Sequence, residues 1–482
     1  MALIEVEDLN VRFYTEDGVV KAVNDLSYQI EAGETFGVVG ESGAGKSVTS
    51  LSLMRLLEYP GRIESGSIRF RDDDALDRFE SEYPDNVVDL DAVRANHDVE
   101  TAAARLDDRD VSGVQLTGDD RYEDVPPSEL AAEGVIDLDD ILDGGFGADA
   151  GLVAEDDFVV HDGDRRYLEL LRAPDDAMRK LRGNRIAMVF QDAETALNPV
   201  YSVGEQVAEA IRHHLDYDEE AARERAIEML ETVGIPDAEE RYSDYPHQFS
   251  GGMQQRAVIA IALSCDPDLL ICDEPTTALD VTIEAQILEL LKDLADEFDT
   301  AIQMITHDLG VIADICDRVM VMYAGSAVET APVEDLYYDP KHPYTAGLMG
   351  SIPRIGDERE RLQTIPGTMP DLIELPPGCD FHPRCPYAED ACVHNEPPLV
   401  DAETGESPDP AAHDQHVAAC LEYTGDLTGD LDFEVEISGA DPRERPDRGT
   451  GPEEADPAGI DTDGGDRSER GARDRNGGEL DE

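Results

Sequence analysis

The sequence predicts an α/β fold in which a mainly parallel sheet is flanked by helices. Three observations carry that prediction. Strand-like apolar stretches alternate with helical periodicity over most of residues 1–330. A glycine-rich loop, Gly40-Glu41-Ser42-Gly43-Ala44-Gly45-Lys46-Ser47, follows a predicted strand and opens a predicted helix. A second apolar strand, Leu269-Leu270-Ile271-Cys272-Asp273-Glu274, ends in two carboxylates, at the sheet edge where ligands of such folds bind.

In chain order, strands are expected at 3–13, 26–30 and 35–39, with Glu31-Ala32-Gly33 as a turn and a helix after Lys46. Residues 73–172 then interrupt the pattern with acidic, glycine-containing sequence whose apolar residues are scattered apart from short runs such as 135–142, so they are taken as an insertion. From Asp175 the order returns. A strand at 186–190 precedes helices near 203–214 and 218–233, which Gly234 and Pro236 stop. A helix at 253–263, a strand at 269–273, a helix at 281–294 and strands at 301–305 and 318–322 follow. Past Leu421, Gly, Pro, Asp and Arg dominate and disorder is expected. The chain thus divides into a core of residues 1–72 and 173–330, an acidic insertion at 73–172, an extension at 331–420 and an acidic tail at 421–482.

The 482 residues include 38 basic and 111 acidic side chains, a net charge of −73. The insertion carries −22 and the tail −13, leaving −38 on the rest, so one acidic tail does not account for the excess. Lysine is confined to Lys21, Lys46, Lys180, Lys292 and Lys341. Surface carboxylates with arginine in place of lysine fit a protein of a salt-adapted organism, where self-repulsion is screened; an ordinary acidic cytosolic protein is the alternative. The same field disfavours non-specific nucleic-acid binding. No apolar run reaches the length of a membrane span, and MALIEVEDLN lacks the features of a secretory signal, so a cytoplasmic location is expected.

The chemistry follows from the loop. Its glycines let backbone N–H groups face phosphate oxygens, the helix start adds a positive dipole end, Lys46 neutralises the outer phosphates and the Ser47 hydroxyl can ligate magnesium. Asp273 would complete the magnesium shell and Glu274 would polarise an attacking water. Ser250-Gly251-Gly252 lies just ahead of a helix and offers a second set of N–H donors, while Gln191 and His307 each follow a predicted strand. Singly, these are a capped helix, a loop amide and a surface histidine; their order and context make chance coincidence negligible.

On these motifs the core resembles the ATP-binding subunits of ABC transporters, over residues 1–72 and 173 to about 330. The resemblance implies an ABC-type P-loop nucleotide-binding domain with a helical subdomain, an ATPase activity, and ATP with Mg2+ as ligands. It implies that Gln191 senses magnesium, water and the membrane partner, that His307 contacts the terminal phosphate, and that Ala278-Leu279-Asp280 links opposed subunits. Phe13 or Tyr14 would stack on adenine. Two subunits would pair head to tail, each clamping ATP between its phosphate loop and the partner's serine-glycine segment, so that one chain makes half of each site.

The local wording is narrower. Phe249-Ser250-Gly251-Gly252-Met253-Gln254-Gln255-Arg256 and Gln191-Asp192-Ala193-Glu194-Thr195-Ala196-Leu197-Asn198-Pro199 are similar to the dipeptide and oligopeptide importers, in particular the first of their two ATPase subunits. So are Pro340-Lys341-His342-Pro343-Tyr344-Thr345, Ser351-Ile352-Pro353-Arg354 and Ile365-Pro366-Gly367 in the extension. This implies a second ATPase subunit, two permease subunits and an extracytoplasmic peptide-binding protein as partners, and a position at the cytoplasmic face of the membrane. An ABC ATPase of nucleic-acid repair or organisation, and the same importer type acting on nickel or another small solute, are the alternatives. The acidic insertion lacks sustained heptads and argues against the first.

Cys379, Cys385 and Cys392, spaced C-x5-C-x6-C, and Cys420 cluster in the extension around Phe381-His382-Pro383-Arg384-Cys385-Pro386. In a reducing compartment such clustering suggests a metal, either zinc or iron–sulfur, or else buried free thiols. The spacing matches no simple zinc ribbon, and the importer resemblance implies a 4Fe-4S cluster. His382, His394, His413 and His416 are read as surface or packing residues, and Cys265, Cys272 and Cys316 as inert core thiols.

Overall fold

A computed structural model describes residues 2–431 other than 110, 118, 119, 123, 192, 278, 352–364, 409–411 and 430. Asp192, Ala278, the Ile352-Pro353-Arg354 segment and the tail beyond residue 431 lie outside the described residues. The strands of the first part of the chain are β1 (Ala2–Tyr14), β2 (Val19–Glu31), β3 (Thr35–Val39), β4 (Gly61–Phe70), β5 (Val87–Asp89), β6 (Val159–Asp162) and β7 (Arg165–Glu169). Those of the second are β8 (Ile186–Val189), β9 (Leu269–Asp273), β10 (Ala301–Thr306), β11 (Arg318–Tyr323), β12 (Ser326–Pro332), β13 (Val400–Asp401) and β14 (Val417–Ala418).

They form two sheets, ordered β2-β1-β4-β7-β6-β5 and β13-β14-β12-β11-β3-β10-β9-β8. From β11 to β8 the second sheet is parallel, as expected, while β12, β14 and β13 close its edge antiparallel. The first sheet departs from expectation: all its pairings but β5 with β6 are antiparallel. Its β2 begins at Val19, well before the predicted 26, because a short turn with Thr15 N–H bonded to the Gly18 carbonyl (3.0 Å) folds it back on β1.

The central strands β3, β9, β10 and β11 are buried along their whole lengths, which is why each reads as a continuous apolar run. Helices Val203–His214, Glu219–Thr232 and Gly251–Leu263 pack beside them through Val207, Ile211, Ala226, Met229 and Ile259. Their starts are set by Ser202, Asp218 and Ser250, each accepting a hydrogen bond from a first-turn N–H.

Residues 73–172 are woven into the first sheet. β7 pairs with β4 through Phe70 opposite Leu168, and Phe79, Phe158, Leu168 and Leu170 join the same apolar core as Ile4 and Ile68. The stretch between builds a smaller core of its own around Leu106, Leu130, Ile141 and Ala150. Its short helices, among them Val99–Asp107 and Leu138–Asp143, each bury only two or three side chains, hence the scattered apolar pattern. Asp98 and Asp137 cap these two helices, so part of the acidity has a local structural use.

The extension is joined to the main sheet, β14 lying against β12 with Glu329 opposite Ala418. His416 Nε2 lies 2.7 Å from Glu329 Oε1 and His413 Nε2 3.2 Å from Glu34 Oε2, so both histidines pack the extension to the core. Residues at the start of the expected tail are held: Leu421 is buried, Tyr423 Oη donates to the Lys341 carbonyl (2.7 Å), and the Thr428 and Gly429 N–H groups donate to Glu389.

Candidate nucleotide site

Parallel strands align their carboxyl ends, and that alignment gathers residues far apart in sequence. Thr306 is in register with Val39, Ile305 with Asp273, and Val189 with Cys272. The segments leaving β3, β9, β10 and β8 therefore carry Gly40, Glu274, His307 and Gln191 out at one edge.

Leaving β3, the glycine-rich loop runs into helix Lys46–Leu53. Glycine is required at two places: a Cβ on Gly40 would sit 2.3 Å from the Met322 carbonyl oxygen, and one on Gly45, at φ 103°, 2.4 Å from that of Ala22. Gly45 caps the helix with no side-chain hydrogen bond, so no side chain competes for its first-turn N–H groups. Lys46 is only 6% exposed and donates through Nζ to the carbonyls of Gly40 (2.9 Å) and Glu41 (3.1 Å). Burial lowers its pKa, against the charges of Glu274 and Asp273.

The two carboxylates after β9 have different surroundings. Asp273 accepts a hydrogen bond from Ser47 Oγ at 3.0 Å, and burial pushes its carboxyl up despite that bond. Glu274 stands in a left-handed backbone conformation, φ 46°, with its N–H on the Ile305 carbonyl (2.9 Å). Its Oε2 accepts from Gln191 Nε2 and from Thr277 Oγ1, both at 2.9 Å, and its Oε1 lies 3.2 Å from His307 Nδ1. Burial acts to raise the Glu274 carboxyl, but its contacts with Thr277, His307 and Lys46 outweigh this and hold it below the ordinary value. Gln191, Asp273, Glu274 and His307 are thus brought together with Lys46 and Ser47. Thr277 belongs to none of the sequence motifs, because its contact depends on the left-handed turn at Glu274.

Residues 23–114 and 164–277 match the ABC transporter family, and residues 328–392 match the family described as oligopeptide/dipeptide transporter, C-terminal region. The chain is 40% identical to the oligopeptide transport ATP-binding protein OppD of Haemophilus influenzae over 81% of its own length and 91% of that protein's. The chain belongs to the ABC transporter ATP-binding family. It is 39% identical to AppD of Bacillus subtilis, also named an oligopeptide transport ATP-binding protein, over 84% of this chain and 94% of that one. A dimeric ATP-binding cassette in a post-hydrolysis state, bound to ADP and phosphate, superposes with a TM-score of 0.44 at 18% identity, covering 68% of this chain and 98% of that one.

Within this ABC subunit the serine-glycine segment lies apart from the constellation. Ser250 and Gly251 are exposed at the start of their helix, and among the described residues no hydrogen bond or ion pair joins Ser250, Gly251 or Gly252 to the phosphate loop. Of the two candidate adenine partners, Phe13 packs against the core and beneath Gly61, while Tyr14 is 46% exposed with the Arg62 guanidinium 5.6 Å from its ring centre. Asp280 caps helix Val281–Phe298.

The ABC subunit's extension brings Cys379, Cys385, Cys392 and Cys420 around one small cavity, with His342, Phe381 and His382 in its wall. All four are free thiols. Burial pushes Cys379 and Cys420 up to about 12 and Cys385 to about 11, so each of these three holds its proton here. Among the described residues, no three His, Cys, Asp or Glu side chains stand in metal-ligating array. Cys272 and Cys316 are buried in the main core, and Cys265 is buried beside the Ala210 carbonyl.

Proposed function

We propose that this ABC ATPase powers import of dipeptides or oligopeptides through a membrane permease. The observation that carries the proposal is the single edge where Lys46, Ser47, Asp273, Gln191, Glu274 and His307 converge, on a chain whose extension matches the oligopeptide/dipeptide transporter family. The loop N–H groups of residues 40–47 and Lys46 hold the phosphates of ATP. The oxygens of Ser47, Asp273 and Gln191 suit a hard divalent cation, Mg2+, which neutralises phosphate charge when bound. Glu274 accepts a proton from the attacking water, Gln191 and Thr277 fix the carboxylate, and His307 turns toward the terminal phosphate. Tyr14 stacks on adenine. Ser250, Gly251 and Gly252 complete the site of a second ATPase subunit, which suits the exposure of Ser250 and Gly251 and, among the described residues, the lack of any hydrogen bond to their own loop.

Among the described residues no helix is long and apolar enough to cross a membrane. From its likeness to oligopeptide transport ATP-binding proteins we assign this subunit to the cytoplasmic face, attached through two permease subunits that receive solute from an extracytoplasmic peptide-binding protein. Phe190, Val200 and Tyr201 are exposed apolar residues flanking the segment after Gln191 and form the contact surface assigned to the permease. The net charge of −73 runs against a nucleic-acid role. Purification from the native membrane should bring down two permeases and a second ATPase subunit, with turnover that rises when the peptide-binding protein and its peptide are added. Recovery with nucleic acid and no permease would reject transport.

The four thiols line one cavity but do not stand in metal-ligating array, so a four-cysteine ligand set there requires them to converge and to lose their protons. We assign them to a 4Fe-4S cluster, with Zn as the competing metal. Anaerobically purified protein should contain about four iron and four sulfide per chain; zinc alone, or no metal, would reject the assignment. The distributed carboxylates are assigned to salt adaptation. Unfolding free energy should rise as KCl goes from about 0.1 M to above about 1 M, where the Debye length falls to a few ångströms. A flat or falling curve would contradict that reading.

A further inference from the structure

Glu41, the second residue of the phosphate loop, is held from the C-terminal extension. Its N–H donates to Tyr344 Oη at 2.9 Å. Its carboxylate receives both ends of one guanidinium, Arg384 Nη2 to Oε1 at 2.9 Å and Nη1 to Oε2 at 3.1 Å, across 343 residues of sequence. Its carbonyl accepts from Lys46 Nζ. Backbone donor, backbone acceptor and side chain are thus all engaged, two of the three by the extension.

Arg384 is itself fixed. Its side chain is 6% exposed, its Nε donates to the Pro366 carbonyl at 2.9 Å, and Nη1 lies 3.4 Å from Tyr323 Oη. Tyr323, Tyr344 and Phe381 pack on one another with ring centres 4.8 to 5.4 Å apart, all three buried. The cation therefore rests in a rigid aromatic socket rather than on a mobile surface arm.

We propose that Arg384 is a positioning residue of the ATP site, making the extension a working part of the phosphate loop. The physical case has two parts. A fork-to-fork ion pair fixes the direction of the carboxylate and the backbone attached to it, which Lys at that position cannot reproduce. A carboxylate at the rim of a phosphate site also repels the polyanion, and Arg384 neutralises it; without Arg384 a half-buried negative charge faces the incoming phosphates.

This inference rests on the proposed ATP site, and the two can fail separately. Equilibrium titration of the full chain with Mg2+ and ATP should show Arg384→Ala raising the Kd by roughly 10-fold or more. Arg384→Lys should recover only part of that. Glu41→Gln combined with Arg384→Ala should bind more tightly than Arg384→Ala alone, since the unpaired charge is gone. In the assembled importer the KM for ATP should rise with kcat little changed, a split that general destabilisation does not produce. Should Arg384→Ala fail to fold, Tyr344→Phe removes only the hydroxyl that receives the Glu41 N–H, and should weaken ATP by a few-fold. Unchanged Kd in a folded Arg384→Ala protein, or in Tyr344→Phe where only that variant folds, overturns the inference. So does a double variant that binds no better than the single one. Wild-type protein that binds no ATP overturns the site instead.

Discussion

Glu274→Gln lowers ATP turnover of the assembled importer by at least about 100-fold, the range expected when a positioned general base is lost. The amide is isosteric but does not accept a proton from water. The carboxylate is well placed to do so. Gln191 and Thr277 donate to one oxygen, His307 lies beside the other, and the pKa is held below the ordinary value, so the group is ionised at neutral pH. Glu274 itself is not a phosphate ligand in the proposed site, so the nucleotide Kd should stay within a few-fold of wild type and closed, ATP-loaded pairs should accumulate. Single-turnover measurement separates the two effects. Turnover close to wild type would remove Glu274 as the base.

Lys46→Ala acts a step earlier, on binding. Lys46 is nearly buried, and its ammonium group is held within the loop by the Gly40 and Glu41 carbonyls. In a chain with only five lysines and a net charge of −73, no neighbouring cation in the loop replaces it. Loss of a charge-assisted contact of this kind costs about 1.5–3 kcal/mol, so the Kd for ATP should rise on the order of 10- to 100-fold. Lys46→Arg should not restore it, because the planar guanidinium does not fit where a compact ammonium sits. A folded Lys46→Ala protein with wild-type affinity would mean that the phosphates lie elsewhere.

The phosphate site was legible because its information is local. The loop, its strand and its helix are contiguous, and strands buried on both faces announce themselves as apolar runs, so Asp273, Glu274, Gln191 and His307 could each be placed at the end of a strand, while their meeting follows from the parallel register. β4 was not legible: its sequence GRIESGSIRF has few apolar residues, and the pairing with β1 shifts register between Glu7 and Asn10, opposite the glycine at position 66. Within 73–172 the short capped helices spread their buried positions too thinly to show a period. Nor was the Arg384–Glu41 contact readable, since each member occurs in a motif that makes sense alone and nothing in a linear chain records which distant segments meet. The cysteines were found by spacing, yet what they surround is a matter of packing: four thiols face a single cavity, lined also by Phe381 and His342.

The central claim is that residues 40–47 and Lys46 hold the triphosphate of ATP. Titrating the purified full-length chain with Mg2+ and ATP, by a method that reports bound nucleotide directly, tests it without any partner's contribution to turnover. Saturable binding of one nucleotide per chain in the micromolar to millimolar range, weakened by Lys46→Ala, is the predicted result. A folded wild-type chain that shows no saturable uptake of adenine nucleotide, alone or with its partner subunits added, would contradict it.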